Sequence, residues 1–136
     1  MSETEATQAQ RCIDVLRTYL RRLERFESVR DLTHPDMVQT EHPNRINPTG
    51  QVREPKGMGS DLDRSTSVIS AQSFEVRSVI ADGDRLAAQL LWRGTMAAPM
   101  GELKAGDQMI CHSGVFIEFR DGLIWRQENY DCFPPF

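Results

Sequence analysis

Residues 108–136 read QMICHSGVFIEFRDGLIWRQENYDCFPPF, and this stretch decides the fold. The tripeptide Arg120-Asp121-Gly122 separates two runs rich in β-branched and aromatic residues, and Asp-Gly in that setting is a strong hairpin signal. The sequence therefore predicts two long strands, Met109–Phe119 and Leu123–Tyr130. Polar side chains interrupt both runs, which is typical of strands that line a pocket: Cys111, His112, Ser113, Gln127, Asn129 and Asp131.

The preceding part of the chain predicts a second hairpin. Ser73–Ile80 alternates between apolar and polar residues, Arg85–Met96 is another β-rich run, and residues 81–84 (ADGD) join them. Residues 97–107 contain proline, glycine and small side chains and predict either a wide loop or a lid. The closing Cys-Phe-Pro-Pro-Phe cannot extend a strand, because proline has no amide hydrogen to donate.

The N-terminal half predicts helices and one strand. After a frayed acidic start over residues 1–8, residues 8–28 carry apolar side chains at three- and four-residue spacing, which indicates a long amphipathic helix. Its apolar stripe consists of Cys12, Leu16, Tyr19, Leu23 and Phe26, widened by Ile13 and Leu20. A short helix at 28–32, a strand at 36–42 and a third helix at about 59–70 follow.

This order of elements predicts one α+β domain spanning residues 1–136, with two or three helices. The length allows one sizeable core and not two. A strongly curved antiparallel sheet wrapped around the long N-terminal helix would leave a cone-shaped cavity between the sheet and the helix. We expect the functional site in that cavity.

Composition excludes several classes of function. The net charge of −4 and the pI near 5.4 argue against a nucleic-acid partner. Three widely spaced cysteines, no signal peptide and no apolar run of membrane-spanning length predict a reduced, cytoplasmic protein without a membrane partner. No Cys-x-x-Cys pair, ligand cluster or glycine-rich phosphate loop is present, so we expect no metal and no cofactor.

The pattern resembles the nuclear transport factor 2-like superfamily and, within it, the SnoaL-like polyketide cyclase branch. The resemblance covers residues 8–136. Its carriers are the first helix with Tyr19, the strand ending in Thr40-Glu41-His42-Pro43, the hairpin at 116–124 (FIEFRDGLI) and the closing Asn129-Tyr130-Asp131. Together these features imply the fold specifically. They do not imply one function, because proteins with this fold include isomerases, cyclases, dehydratases, epoxide hydrolases and binding modules.

The ketosteroid isomerase branch implies roles for two residues. There, a tyrosine of the first helix donates a hydrogen bond to the substrate oxyanion, and Tyr19 matches it. A carboxylate before a strand-ending proline removes the proton in that branch, and His42 stands at its position. Imidazole is a competent base near neutral pH. The second oxyanion carboxylate of the branch would fall near Val115, so this sequence departs from the pattern there.

Two other branches point to the last strand. In epoxide hydrolases an aspartate there helps to activate water, and the matching position is Asn129, with Asp131 two residues further along the same face. In SnoaL-like cyclases an aspartate and histidines perform the acid–base work, and the candidates are Asp131, His112 and His42. Strand parity predicts that Asn129, Gln127, Trp125 and Asp131 share the inward face, whereas the direction of His112 stays open because a bulge at Ser113-Gly114 would reverse it.

These observations support two hypotheses. The first is a cofactor-free cyclase, isomerase or lyase that acts on a hydrophobic carbonyl-bearing substrate, with His42 or Asp131 as base and Tyr19 or Asn129 at the enolate oxygen. The alternative is a non-catalytic module that binds a hydrophobic ligand or only dimerises. The candidate substrate-binding residues are Trp92, His112, Trp125, Gln127, Asn44 and Arg45.

A homodimer is compatible with both hypotheses. The outward face of the last two strands carries larger side chains than a solvent face usually does: Phe116, Arg126, Glu128 and Tyr130. We therefore expect two copies to meet through the outer face of the sheet.

Overall fold

The computed structural model describes residues 3–54 and 67–136. This part of the chain contains one long helix, α1 (Glu3–Glu24), and a single 3-10 turn at Arg30–Leu32. The strands are β1 (Thr33–Glu41), β2 (Gln51–Arg53), β3 (Ile69–Asp82), β4 (Arg85–Met96), β5 (Gln108–Arg120) and β6 (Leu123–Cys132). Both predicted hairpins are present, as β3–β4 and β5–β6.

The strands form one curved sheet in the order β2-β1-β6-β5-β4-β3. All neighbours are antiparallel except β1 and β6, which run parallel. The predicted α+β fold, a curved sheet against a long N-terminal helix, is confirmed. The parallel pair makes the sheet mixed, a feature that the hairpin signals alone could not predict.

Irregular pairing bends the sheet around the helix. The register shifts between Val76 and Ser78 in β3, and again where Phe119 of β5 pairs with Ile124 of β6, leaving Trp125 without a partner in the ladder. Each extra residue locally bends and twists its strand. The sheet therefore presents a concave face to α1.

The helix buries one face against this concave surface. Four side chains of the predicted stripe are buried and follow three- and four-residue spacing: Cys12, Leu16, Tyr19 and Leu20. They join a core contributed by every strand from β4 to β6 and by β1, including Met37, Leu86, Leu90, Val115, Ile117 and Ile124.

The limits of α1 differ from the predicted ones at both ends. The helix begins at Glu3, within the segment for which we predicted fraying. It ends at Glu24 because Phe26 takes a left-handed conformation (φ 55°), which lets the Glu27 amide donate to the Arg22 carbonyl at 2.9 Å. The Glu24 carboxylate then accepts from the Phe74 amide of β3 at 2.9 Å, and this bond fixes the helix end to the sheet.

Other predicted elements meet different outcomes. The helix predicted at about 59–70 lies mostly outside the described residues, and residues 69 and 70 belong to β3. The 3-10 turn replaces the short helix predicted at 28–32. Strand β2 was not predicted, because three residues carry no periodic signal and become a strand only through pairing with β1. Residues 97–107 form a loop with one bridge, between Met100 and Leu103.

Core burial on β6 can be tested with a matched pair of substitutions. Ile124 is 0% exposed, whereas Ile80 of β3 is 70% exposed. We expect Ile124→Ala to lower the free energy of unfolding by about 2–5 kcal/mol because it leaves a cavity. We expect Ile80→Ala to cost at most about 1 kcal/mol. Urea denaturation followed by circular dichroism measures both, and equal losses would contradict the assigned core.

Candidate functional site

A cavity of about 370 Å³ lies between the C-terminal half of α1 and the concave face of the sheet. One part of its wall is apolar and comes from α1, β3, β4 and β5: Leu16, Leu20, Leu23, Ile69, Phe74, Leu90 and Val115. Another part is polar and comes chiefly from β1, β5 and β6: Gln39, Glu41, Ser113, Gln127, Asn129 and Asp131. Tyr19 lines the cavity from the helix.

Asp131 is the carboxylate of β6 in this cavity. The Ser113 hydroxyl of β5 donates to its Oδ1 at 2.6 Å, because the two residues are directly paired across the strands. Burial raises the pKa of the Asp131 carboxyl above its usual range. The Ser113 bond and Arg53 lower that pKa, and the charge of Glu41 raises it. Asp131 is therefore oriented and partly desolvated, as a proton-transfer group requires.

A second carboxylate in the cavity, Glu41, was missed by the sequence analysis. The guanidinium of Arg53 donates to its Oε1 at 2.8 Å, and the Asn44 amide donates to its Oε2 at 2.8 Å. Strand parity could have found it, since Met37, Gln39 and Glu41 share the inward face of β1. The adjacent apolar residues Met37 and Val38 hide that alternation.

Three amides form a chain along the floor of the cavity. Asn129 Oδ1 accepts from Gln127 Nε2 at 3.0 Å and from Gln39 Nε2 at 3.5 Å. Gln127 is only 3% exposed, and its Oε1 has no hydrogen-bond partner among the described residues. Since Asn129 Oδ1 is occupied, the Asn129 amide nitrogen is the group left to donate to a ligand.

Tyr19 lies where the sequence placed it, in the buried face of α1 and at the cavity wall. Burial raises the pKa of its phenol, while the adjacent Gln127 side chain and the charge of Arg53 lower it. The hydroxyl is therefore protonated at neutral pH and can donate a hydrogen bond.

The structure does not bring the two candidate histidines to the cavity. His42 stacks on Tyr130 with ring centroids 4.2 Å apart, and its Nε2 lies 3.1 Å from the Glu128 carboxylate. Both partners belong to the outer face of β6. His112 is exposed, because the regular pairing of β5 with β4 turns Cys111, Ser113 and Val115 inward instead.

The two tryptophans occupy different cavities. Trp92 lines the site, and its Nε1 donates to Gln72 Oε1 at 2.9 Å. Its ring covers Gly94, where a Cβ would lie 2.4 Å from the ring atoms.

Trp125 was predicted to share the face of Asn129, but the unpaired residue in β6 shifts the parity. Its ring lies between the guanidinium groups of Arg120 and Arg126, at 4.4 and 4.1 Å, beside a separate cavity.

Of the two candidate substrate-binding residues in the 43–50 loop, one lines the cavity and the other does not. Asn44 lines the cavity and shapes the loop, since its Oδ1 accepts from the amides of Ile46 and Asn47 at 3.0 Å. Arg45 instead binds the C-terminal residue: it donates to the Phe136 carbonyl at 3.1 Å and lies over the Phe136 ring.

Fold and cavity together define a nuclear transport factor 2-like α+β domain. The family model for the SnoaL-like domain matches residues 10–127, so the chain belongs to the SnoaL-like domain family. The resemblance stated from the sequence is thereby confirmed. Among curated proteins no sequence matches the chain.

Solved structures of this family share the fold at low identity. A SnoaL-like polyketide cyclase from Agrobacterium tumefaciens is 21% identical (TM-score 0.64; 88% of this chain, 90% of that chain). IdmH, a proposed polyketide cyclase from Streptomyces antibioticus, is 19% identical (TM-score 0.73; 88% and 91%). AclR, a proposed hydroxylase from Streptomyces galilaeus, is 16% identical (TM-score 0.72; 96% and 82%).

Three further features of the described residues concern metal binding, membrane-spanning helices and free thiols. Within ranges 3–54 and 67–136, no cluster of His, Cys, Asp and Glu side chains is arranged to hold a metal ion. The same ranges contain no helix long and apolar enough to cross a membrane. Cys12, Cys111 and Cys132 are free thiols, and burial raises the pKa of Cys111 to about 12, so this cavity thiol is protonated at neutral pH.

The raised pKa of Asp131 has a measurable effect on stability. Because the folded state binds this proton more tightly than the unfolded chain, stability falls as the pH rises from the unfolded pKa of 3.8 through the folded pKa. We expect Asp131→Asn to raise the melting temperature at pH ~8 and to change it little at pH ~3, where the wild-type group is already neutral. Asp36→Asn, on an exposed part of β1, is the control and should show no such pH-dependent gain.

Proposed function

We propose that this chain is an enzyme that removes a proton next to a carbonyl group of a small hydrophobic substrate, using its own side chains for acid–base chemistry. The observation that carries the proposal is the half-buried Asp131 carboxylate, which accepts from Ser113 at 2.6 Å and lines a cavity that apolar side chains also line. A carboxylate whose pKa is raised above its usual range binds a proton more tightly and is therefore a stronger base than an ordinary exposed one.

The chemical step follows from this arrangement. The Asp131 carboxylate takes the proton from the carbon next to the carbonyl, and the electron pair of the C–H bond forms a C=C bond as the carbonyl oxygen becomes an enolate. Returning the proton to another carbon gives an isomerase, and attack of the enolate carbon on a second carbonyl gives a cyclase. A general base of this kind contributes about 10²–10⁴-fold to the rate.

The enolate oxygen needs donors, and the cavity offers two. The Tyr19 hydroxyl is neutral and buried, and the Asn129 amide nitrogen is left to donate because its oxygen is occupied. Donors fixed before the reaction stabilise developing negative charge most in a site with little water. Tyr19 and Asn129 keep the roles that the sequence analysis gave them, and Asp131 takes the base role in preference to His42.

The cavity also bounds the substrate. Its volume of about 370 Å³ is at the lower end of typical small-molecule sites, and Phe74 and Trp92 add flat apolar surface. These features support a compact, hydrophobic, ring-bearing carbonyl compound. The polyketide cyclase descriptions of two structural relatives agree with a substrate of that kind.

Proton abstraction can be tested without the natural substrate. We expect wild-type protein in D₂O to exchange the α-protons of at least one member of a panel of cyclic ketones, as measured by NMR. Asp131→Asn should lower that exchange about 10²–10⁴-fold, whereas the control Asp36→Asn should leave it unchanged. Thermal shift reports binding of the same ketones independently. Binding without exchange in the wild type would contradict catalysis and favour the ligand-binding alternative.

We further propose that two copies of the chain meet through the outer face of β5 and β6. Phe116 (52% exposed) and Tyr130 (44% exposed) are in edge-to-face contact there, beside a groove lined by charges of both signs. In a two-fold interface the same patch meets itself, and a patch with Arg126 next to Glu128 can pair with its own copy.

Light scattering tests this assembly. We expect a mass near twice 15.5 kDa for the wild type and a monomer for Phe116→Glu, because the new charge would be buried against its own copy. The control is Arg17→Glu, on the solvent-exposed side of α1 and therefore away from the outer face of the sheet, and it should remain a dimer. A monomeric wild type at high concentration would exclude the proposed interface.

A further inference from the structure

We infer that Glu41, held in place by Arg53, is a positioning residue that sets how strongly Asp131 holds its proton. The inference rests on the proposed function, since it concerns the base of that reaction. It assigns a role to the carboxylate that the resemblance to other families did not identify.

The parallel pairing of β1 with β6 brings the two carboxylates together. Glu41 is directly opposite Asn129, and Asp131 lies two residues further along the same face of β6. From the spacing and rise of strands, their Cα atoms are roughly 8 Å apart. Both side chains line the one cavity, so their charges are close enough to interact across it.

The contacts of Glu41 hold it still and make it a poor proton-transfer group. Each carboxylate oxygen has its own donor, Arg53 Nη1 on one and Asn44 Nδ2 on the other, both at 2.8 Å. Arg53 is in turn steadied by Gln51, which accepts from its Nη2 at 3.1 Å. Asp131, by contrast, is bonded by the uncharged groups of Ser113, at 2.6 Å, and of Cys111. The division of roles follows: Glu41 supplies a fixed charge, and Asp131 exchanges the proton.

Within ranges 3–54 and 67–136, the charged and titratable groups that face Asp131 come from four elements. They are Glu41 of β1, Arg53 of β2, Cys111 of β5 and Tyr19 of α1. Burial raises the pKa of both Cys111 and Tyr19, so these two groups are neutral around pH 7. Among the described residues, the charges that act on Asp131 are therefore one anion, Glu41, which raises its pKa, and one cation, Arg53, which lowers it.

The opposite effects of Glu41 and Arg53 on the Asp131 pKa lead to a prediction that differs from that for a purely structural ion pair. Glu41→Gln removes the anion and should shift the Asp131 titration to lower pH. Arg53→Gln removes the cation and should shift the titration to higher pH. Both variants break the same 2.8 Å ion pair, so a purely structural role would affect them alike.

The measurement is the titration of the Asp131 carboxyl carbon by ¹³C NMR, assigned by its loss in Asp131→Asn. Glu128→Gln, which removes a carboxylate from the outer face of β6, is the control and should leave the titration unmoved. If Arg53→Gln does not fold, Glu41→Gln alone tests the inference. Arg53→Lys, which keeps the positive charge, should then leave the titration of Asp131 as it is in the wild type. Shifts in the same direction, or none, would overturn the inference.

The pH profile of α-proton exchange supplies the second readout. Its acidic limb should move to lower pH in Glu41→Gln and to higher pH in Arg53→Gln, following the NMR titration. Because the NMR titration needs no substrate, the two proposals can fail separately. If the two variants shift the Asp131 titration in opposite directions but no α-proton exchange is seen, the charge coupling between Glu41 and Asp131 stands. That result would contradict only the catalytic proposal.

Discussion

The packing of α1 into the concave face of the sheet is the constraint on which the rest of the structure depends. A helix of 22 residues is roughly 33 Å long, and its buried stripe must meet apolar side chains along that length. Near the β3–β4 turn, where the Cys12 thiol lies against the Gly83 carbonyl, the contact is close. At the other end of α1, Gln72 and Phe74 of β3 donate hydrogen bonds to the Leu23 carbonyl and the Glu24 carboxylate. The space enclosed between this half of the helix and the sheet is the cavity.

The parallel contact between β1 and β6 then decides what lines that space. It places Gln39 opposite Gln127 and Glu41 opposite Asn129, so two polar inward faces become one polar floor. The antiparallel contact with β5 adds Ser113 opposite Asp131. Residues far apart in the chain thus share hydrogen bonds because of pairing geometry, and each bond reduces the cost of burying its polar group.

The sequence predicts much of this fold and only part of the site. Asp-Gly turns and alternating side chains are local signals, so both hairpins follow from them, as does the shared face of Gln127, Asn129 and Asp131. Trp125 does not share that face, because the pairing of β6 with β5 leaves one extra residue in β6 at this point. The extra residue arises from contact between two strands, so the local sequence of β6 does not predict it. His42 was chosen by its position before a proline, whereas the direction of its side chain is set by strand β1, which turns Glu41 inward.

The polar groups of the cavity argue against a purely structural role for its floor. A half-buried acid with a raised pKa lowers stability, and so does an amide oxygen that has no hydrogen-bond partner among the described residues. Apolar side chains of similar volume would avoid that cost. A module that only bound an apolar ligand would need neither of them. A group that must take and return a proton has to be partly desolvated and held in one orientation. Asp131 meets both conditions, because Ser113 holds it in one orientation and it lines a cavity that apolar side chains also line.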